Sequence, residues 1–165
     1  MKLKKTLLFI ILFLSSCTVI KRDYGNYSDI DSLKKVVPKV ENYSKYGNPT
    51  TYKVFGVQYK TLDTHIGYSE EGIASWYGKK FHGRLTSTRE KYDMYKLTAA
   101  HKTLPIPCYA RVTNLKNKKS IIVRINDRGP FKKGRIIDVS YAAAVKLDIV
   151  KSGTQKVFVE AINLS

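Results

Sequence analysis

Val123 to Ser140 reads VRINDRGPFKKGRIIDVS, and its two halves decide how the rest of the chain folds. With the two residues before it, the first half supplies Ile121-Ile122-Val123-Arg124-Ile125, a β-branched run suited to a buried strand. That strand delivers Asn126-Asp127-Arg128 to its end, where Gly129-Pro130 stops it, since proline brings no N–H to a ladder. A loop runs to Gly134, Arg135 to Val139 reads as a second strand, and Ser140 stands where a helix N-cap belongs. Asp127 is thereby held at a rigid strand-to-loop junction, which can position a reactive carboxylate well. Asp-Arg before Gly-Pro is equally an ordinary polar turn.

Outward from this stretch, short β-like runs alternate with turns. Gly72 to Tyr77 (GIASWY), Leu97 to His101 and Tyr109 to Leu115 read as strands, and Lys116-Asn117-Lys118 as a tight turn into Ser120 to Asn126. Ser140 to Leu147 (SYAAAVKL) is helical, with three alanines supplying propensity, and Gln155 to Ile162 (QKVFVEAI) alternates like a strand. About six short strands and one helix in roughly 90 residues predict a mainly β fold closed into a small barrel.

Before the barrel the texture differs. Residues 18–71 hold seven of the twelve tyrosines with no sustained period of 2 or 3.6. They read as a mostly irregular tether, with short strands possible around Thr51 to Val57. At the start, Lys2, Lys4 and Lys5 precede eight apolar residues, Leu7 to Leu14, far short of the roughly 20 needed to cross a bilayer. Residues 1–16 therefore read as a secretory signal peptide. Leu14-Ser15-Ser16-Cys17 resembles the bacterial lipobox, whose cysteine carries the lipid; the plainer alternative is a signal peptide with an incidental cysteine. Thr18, rather than Asp, follows Cys17, which in the familiar sorting pattern favours the outer membrane, facing the periplasm. With Cys17 lipidated, Cys108 is the one remaining thiol, so no disulfide framework is expected. His65, His82, His101 and Cys108 show no ligand spacing, so neither metal nor cofactor is expected.

Charge is concentrated on the barrel region. Residues 17–71 carry 8 basic and 7 acidic side chains, while Gly72 onward carries 19 against 6. Such a field favours an anionic partner. The chain has no nucleic-acid motif and reads as exported, so anionic wall polymer or a lipid surface fits better than nucleic acid. A merely soluble basic surface is the bland alternative.

Several motifs then carry a resemblance: Ala74-Ser75-Trp76-Tyr77-Gly78, Phe81-His82-Gly83-Arg84, Thr98-Ala99-Ala100-His101, Arg111-Val112-Thr113-Asn114-Leu115 and Asn126-Asp127-Arg128-Gly129-Pro130, in this order. From about Gly72 to Ile162 the chain resembles the rare lipoprotein A family, whose domain is a six-stranded double-psi β-barrel with one or two short helices. The resemblance implies a lipoprotein acting on peptidoglycan, an endolytic transglycosylase preferring glycan strands stripped of stem peptides, in wall remodelling or daughter-cell separation. The rival reading is an expansin-like module that binds or loosens the wall without cleaving it. Division-site proteins are further candidate partners, and a monomer is expected. Where the family commonly has Ala-Asn-Gly-Glu, this chain has Ser87-Thr88-Arg89-Glu90, so a residue suited to positive φ is replaced by one for which it costs free energy. Many members also append a C-terminal sporulation-related repeat domain; no such module is expected in residues 1–165.

The chemistry places demands of its own. Most glycosidases use two carboxylates, whereas a lytic transglycosylase uses the substrate's own C6 hydroxyl as nucleophile, so one residue can serve as acid and then as base. Asp127 matches the family's barrel aspartate and is the candidate for that role. On an extended strand end Arg128 should point to the opposite face and need not hold the acid ionised. Glu90 and His101 match other positions implicated in family activity, where they would stabilise developing charge or tune the proton. Trp76, Tyr77, Tyr92 and Arg128 are the expected substrate-binding residues, the aromatic faces suiting pyranose rings. Without the resemblance, Asp127 reads as a turn cap, Glu90 as a loop charge, His101 as a structural histidine and Trp76 as core.

Overall fold

The computed structural model describes residues 32–33 and 35–164; the expected leader over 1–16 and Cys17 lie outside the described residues. In chain order the elements are β1 (Thr51–Val54), β2 (Val57–Lys60), β3 (Ser69–Tyr77), a 3-10 turn (Lys79–Phe81), β4 (Thr98–His101), β5 (Cys108–Asn114), β6 (Ser120–Asp127), β7 (Arg135–Ser140), α1 (Tyr141–Leu147) and β8 (Thr154–Ala161). Strands β3 to β8 close a barrel in the order β3-β7-β4-β6-β5-β8, and β1-β2 form a separate hairpin. The β3–β7 and β4–β6 pairs are parallel and the other barrel pairs antiparallel. The expected small six-stranded barrel is present.

Period-2 alternation builds its interior. Ala110 and Val112, Val123 and Ile125, Ile137 and Val139, and Val157 and Val159 are all fully buried. The residues between them, such as Arg124 and Asp138, therefore face outward. Full burial contributes about 1.5–3 kcal/mol for each such valine or isoleucine, and a one-residue slip would exchange the two faces, so the pattern pins the register. In α1, Ala142, Ala143 and Ala144 are fully buried beside Tyr141 and Leu147; their small side chains let the helix backbone lie close to the barrel. Ser140 starts α1 as its N-cap, accepting from Ala143 N at 3.2 Å and donating to Lys96 O at 2.6 Å.

Two elements extend beyond the expected bounds. Strand β3 begins at Ser69 because Ser69 to Gly72 pair with Glu160 to Val157 of β8, and the exposed Ser-Glu-Glu carries no hydrophobic signal of it. The hairpin at Thr51–Lys60 turns at Phe55 and Gly56, with φ of 48° and 81°, the paired positive φ of a type I′ turn. Residues 35–50 and 61–68 lack helix and strand but lie against the barrel, with Ser44 N donating to Ile106 O and Leu62 N to Thr103 O, both at 2.8 Å.

Ser140→Ala removes both the N-cap and the bond to Lys96. It should lower stability by about 1–2 kcal/mol, read as a drop of several degrees in the melting temperature.

Candidate active site

The site begins with a mismatch between β4 and β6. Ala99 pairs with Ile125, yet the next residue, Ala100, pairs with Asp127, leaving Asn126 as an extra residue on β6. Regular alternation would send Asp127 to the same side as Ile125, which is buried in the core. The bulge reverses that, a device that commonly re-aims a side chain beside an active site. Asp127 emerges in an open groove of about 390 Å³ that it shares with Tyr46, Gly47, Leu85, Ser87 and Arg89.

The loop before Tyr92 fixes the carboxylate. Asp127 Oδ1 accepts from Ser87 N at 2.8 Å, Ser87 Oγ at 2.7 Å and Arg128 N at 2.8 Å. Oδ2 accepts no hydrogen bond among the described residues. Ser87 is presented by a tight turn in which Arg89 N donates to Thr86 O at 2.9 Å and Thr86 N to Glu90 O at 2.8 Å. Arg89 has φ of 70°, so the turn keeps the left-handed geometry expected of a glycine despite the side chain. Its guanidinium sits 5.4 Å from the centre of the Tyr46 ring, a cation–π contact across the groove.

Glu90 lies in the same loop but is committed to Arg124, which donates through Nη1 to Oε1 at 3.0 Å and Oε2 at 2.9 Å. Asn126 Nδ2 adds a third bond at 2.8 Å. Burial works against ionisation, but the Arg124 and Asn126 hydrogen bonds outweigh it and hold the carboxyl below its usual range. Arg124 also forks onto Glu41, Nε to Oε1 at 3.0 Å and Nη2 to Oε2 at 2.8 Å. One guanidinium thus ties the N-terminal segment, β6 and the Glu90 loop together.

His101 is 2% exposed. Its Nδ1 accepts from Thr103 N at 3.2 Å and Leu104 N at 3.0 Å, so in the neutral ring Nε2 carries the proton and donates to Tyr68 OH at 2.7 Å. Burial, then the charges of Arg128 and Lys102, push its pKa down to about 3, and the ring stays neutral. The imidazole is spent inside the fold.

Arg128 points away from Asp127, as expected of neighbours on an extended strand end. Its guanidinium donates to Gly47 O at 2.7 Å, Asn48 Oδ1 at 2.8 Å and His101 O at 3.2 Å. It therefore fastens the 47–48 stretch onto the barrel and builds one wall of the groove. Gly47, at φ 77°, is needed there: an added Cβ would come within 2.9 Å of Ser87 O. Of the three aromatic residues expected at the sugar, Tyr77 and Tyr92 are buried and Trp76 is half-buried. Tyr77 and Tyr92 are 9% and 3% exposed and stack at 4.1 Å, and Trp76 packs on Tyr141 with ring centres 5.7 Å apart. The ring beside Asp127 is Tyr46, 44% exposed.

Sequence reasoning missed Glu41, Tyr46, Gly47, Asn48, Ser87 and Arg124. The first four lie in a stretch without periodicity, and Arg124 was hidden in the run that marks a buried strand. A signal existed in Arg124 itself, since a charge inside such a run must find partners.

A closed barrel of mixed strand pairs, with a strand-end aspartate re-aimed into an outer groove, defines a double-psi β-barrel. A family model described as "Lytic transglycolase" matches residues 69–159, and the chain belongs to that family, together with the RlpA proteins. It is 47% identical over 165 residues to the "Endolytic peptidoglycan transglycosylase RlpA" of Vibrio cholerae, covering 95% of this chain and 62% of that one. It is 59% identical over 139 residues to the protein of the same name in Neisseria meningitidis serogroup A, covering 84% and 58%. The chain thus spans about three-fifths of the length of these relatives. Among solved structures, the Streptomyces papain inhibitor superposes with a TM-score of 0.51 at 21% identity, over 61% of this chain and 100% of that one, which shows the shared fold.

Arg89→Gly and Arg89→Ala both remove the contact with Tyr46, but only alanine keeps a Cβ at positive φ. The glycine variant should be the more stable by about 1 kcal/mol, measured by denaturant unfolding of the pair.

Proposed function

We propose that this protein is a lytic transglycosylase that cleaves the glycan strands of peptidoglycan in the Asp127 groove, acting on strands lacking stem peptides during wall remodelling or daughter-cell separation. The observation that carries this reading is the Asp127 carboxyl, anchored by three donors on one oxygen and open on the other, in a groove. A polymer can lie across such a groove, and the names of the relatives supply the substrate class.

The reaction asks little of the protein beyond placement and proton transfer. Oxygen of the C6 hydroxyl on N-acetylmuramic acid attacks C1 of the same sugar, the C1–O4 bond breaks, and a 1,6-anhydro ring closes. Because the nucleophile belongs to the substrate, its effective concentration is high, and Asp127 is the group that moves the proton. Glu90, held ionised by Arg124 and Asn126, supplies negative charge near the positive charge that develops on the ring. His101 acts as a positioning residue, shaping the 101–104 turn and offering its carbonyl to Arg128. Tyr46 offers the sugar a flat face, while Tyr77 and Tyr92 pack on each other and Trp76 on Tyr141. The basic surface draws the domain to anionic wall polymer, and Cys17, lipidated after removal of residues 1–16, anchors the chain to the outer membrane facing the periplasm.

Incubation with amidase-denuded peptidoglycan should release 1,6-anhydromuramic ends; intact glycan after prolonged digestion removes the enzyme reading, and reducing ends indicate a hydrolase. Asp127→Asn should lower turnover by about 10² or more with sacculus binding and melting little changed, and Glu90→Gln should retain part of the rate. Palmitate-analogue labelling should mark the wild type and spare Cys17→Ala, and equal labelling of both would rule out the anchor.

A further inference from the structure

Barrel register places a second carboxylate on the outer face, two strands from Asp127. Ala100 of β4 pairs on one side with Asp127 of β6 and on the other with Asp138 of β7. Directly paired residues project from the same face of a sheet. Ile137 and Val139 are buried inside the barrel, so Asp138 between them faces outward, as Asp127 does after its bulge. Two strand spacings separate them, about 9–10 Å between backbones. That is close to the carboxyl separation of about 6.5–9.5 Å that lets two acids work on opposite sides of a glycosidic bond.

Asp138 is not built like a structural residue. Its Oδ1 is buried without a hydrogen-bond partner, and its nearest ionic neighbour is Arg135 Nη1 at 3.8 Å. On the strands flanking β7, the Tyr77 phenol has the Thr98 hydroxyl as a polar neighbour. Unsatisfied buried polar atoms are rare, and each costs about 1–3 kcal/mol. A buried carboxyl oxygen left in that state is kept for chemistry rather than for stability.

We propose that Asp138 is the proton donor of the site, protonating the departing sugar oxygen, while Asp127 takes the proton from the attacking one. This rests on the transglycosylase reading above and divides between two groups what that reading gives to one. In the step, the Asp127 carboxylate accepts the C6 hydroxyl proton as O6 bonds to C1. The C1–O4 bond breaks with its electron pair passing to O4, and O4 takes the Asp138 proton. The products are a 1,6-anhydro end and a 4-hydroxyl end. Asp127 leaves the step protonated and Asp138 ionised, and exchange with water resets both. No water, metal or redox partner is consumed.

The surroundings suit an acid. Burial raises the Asp138 carboxyl, the charges of Arg135 on β7 and Lys102 after β4 oppose it, and the result is about 6. The Tyr77 phenol on β3 feels both carboxylates: burial, then Tyr92 and Asp127, raise it well above its ordinary range, the Thr98 hydroxyl opposes, and Asp138 adds a smaller push. A carboxyl raised above its unfolded value favours folding in its neutral form, so that contribution is lost as pH rises through about 6. Asparagine at 138 escapes that loss.

The test compares wild type and Asp138→Asn on denuded glycan from pH 4.5 to 8, with thermal melting over the same range. Wild-type anhydro-product formation should decline as pH rises through about 6. Asp138→Asn should be slower by about 10² near pH 5 and lack that decline, yet melt higher than wild type at pH 7.5, with the gain closing toward pH 4. Three results overturn the division of labour alone: a wild-type rate in Asp138→Asn, a wild-type rate that does not fall between pH 5 and 8, or a variant that melts lower at pH 7.5. Absence of anhydro ends from the wild type overturns the parent reading and this one with it.

Discussion

Asn126 is one residue more than β4 can match, and the outer groove depends on that excess. On either side of it the barrel obeys alternation, with Val123 and Ile125 buried in the interior. The unmatched residue shifts the pairing so that Asp127 stands opposite Ala100 and leaves the core side. Asn126 is itself fastened: its amide donates to Glu90 at 2.8 Å, and its carbonyl accepts from Thr88 Oγ1 at 3.1 Å. The Glu90 loop is thus bonded both to the bulge and to the carboxylate the bulge exposes, through Ser87. Loop and strand end fix each other, as preorganisation of a site requires.

Two arginines from this part of the chain extend the arrangement to residues outside the barrel. Arg124 forks onto Glu41 and Glu90, and Arg128 spreads over Gly47, Asn48 and the carbonyl of His101. A planar guanidinium suits this because it presents several donors in fixed directions. The segment expected to be a mostly irregular tether therefore contributes Tyr46 and Gly47 to the groove. Its irregular backbone is held by specific bonds rather than by helix or sheet, so its order depends on the barrel it covers.

Polar groups in the structure divide into two kinds. Glu41, Glu90, Arg124, Arg128 and His101 are satisfied by named partners, and they account for how the pieces are held. Asp138 retains a buried carboxyl oxygen without a hydrogen-bond partner. Unsatisfied groups of this sort cost stability, and proteins retain them chiefly where function opposes it.

Alternation of β-branched residues, Gly-Pro and Asn-Lys turn signals, and the Ser140 cap were enough by themselves to determine the helix, the closed barrel and its strands apart from the Ser69-Glu70-Glu71 start of β3. These are local properties, set by side-chain period and backbone allowance. The same local reading set Asp127 at a strand end, while the positive φ at Arg89 was foreseen only through the family resemblance. Contacts across the chain decided the rest. The bulge at Asn126 depends on how β6 meets β4, so no inspection of β6 alone reveals it. His101 became a neutral interior histidine, and Tyr77 and Tyr92 became a buried stack, because elements distant in sequence close over them. Glu41 to Asn48 showed no periodicity, since that segment is ordered by hydrogen bonds to β6 and the barrel loops, and such bonds leave no period in a sequence. Tertiary structure alone decided which side chains share the groove, because burial and strand register are properties of the assembled chain.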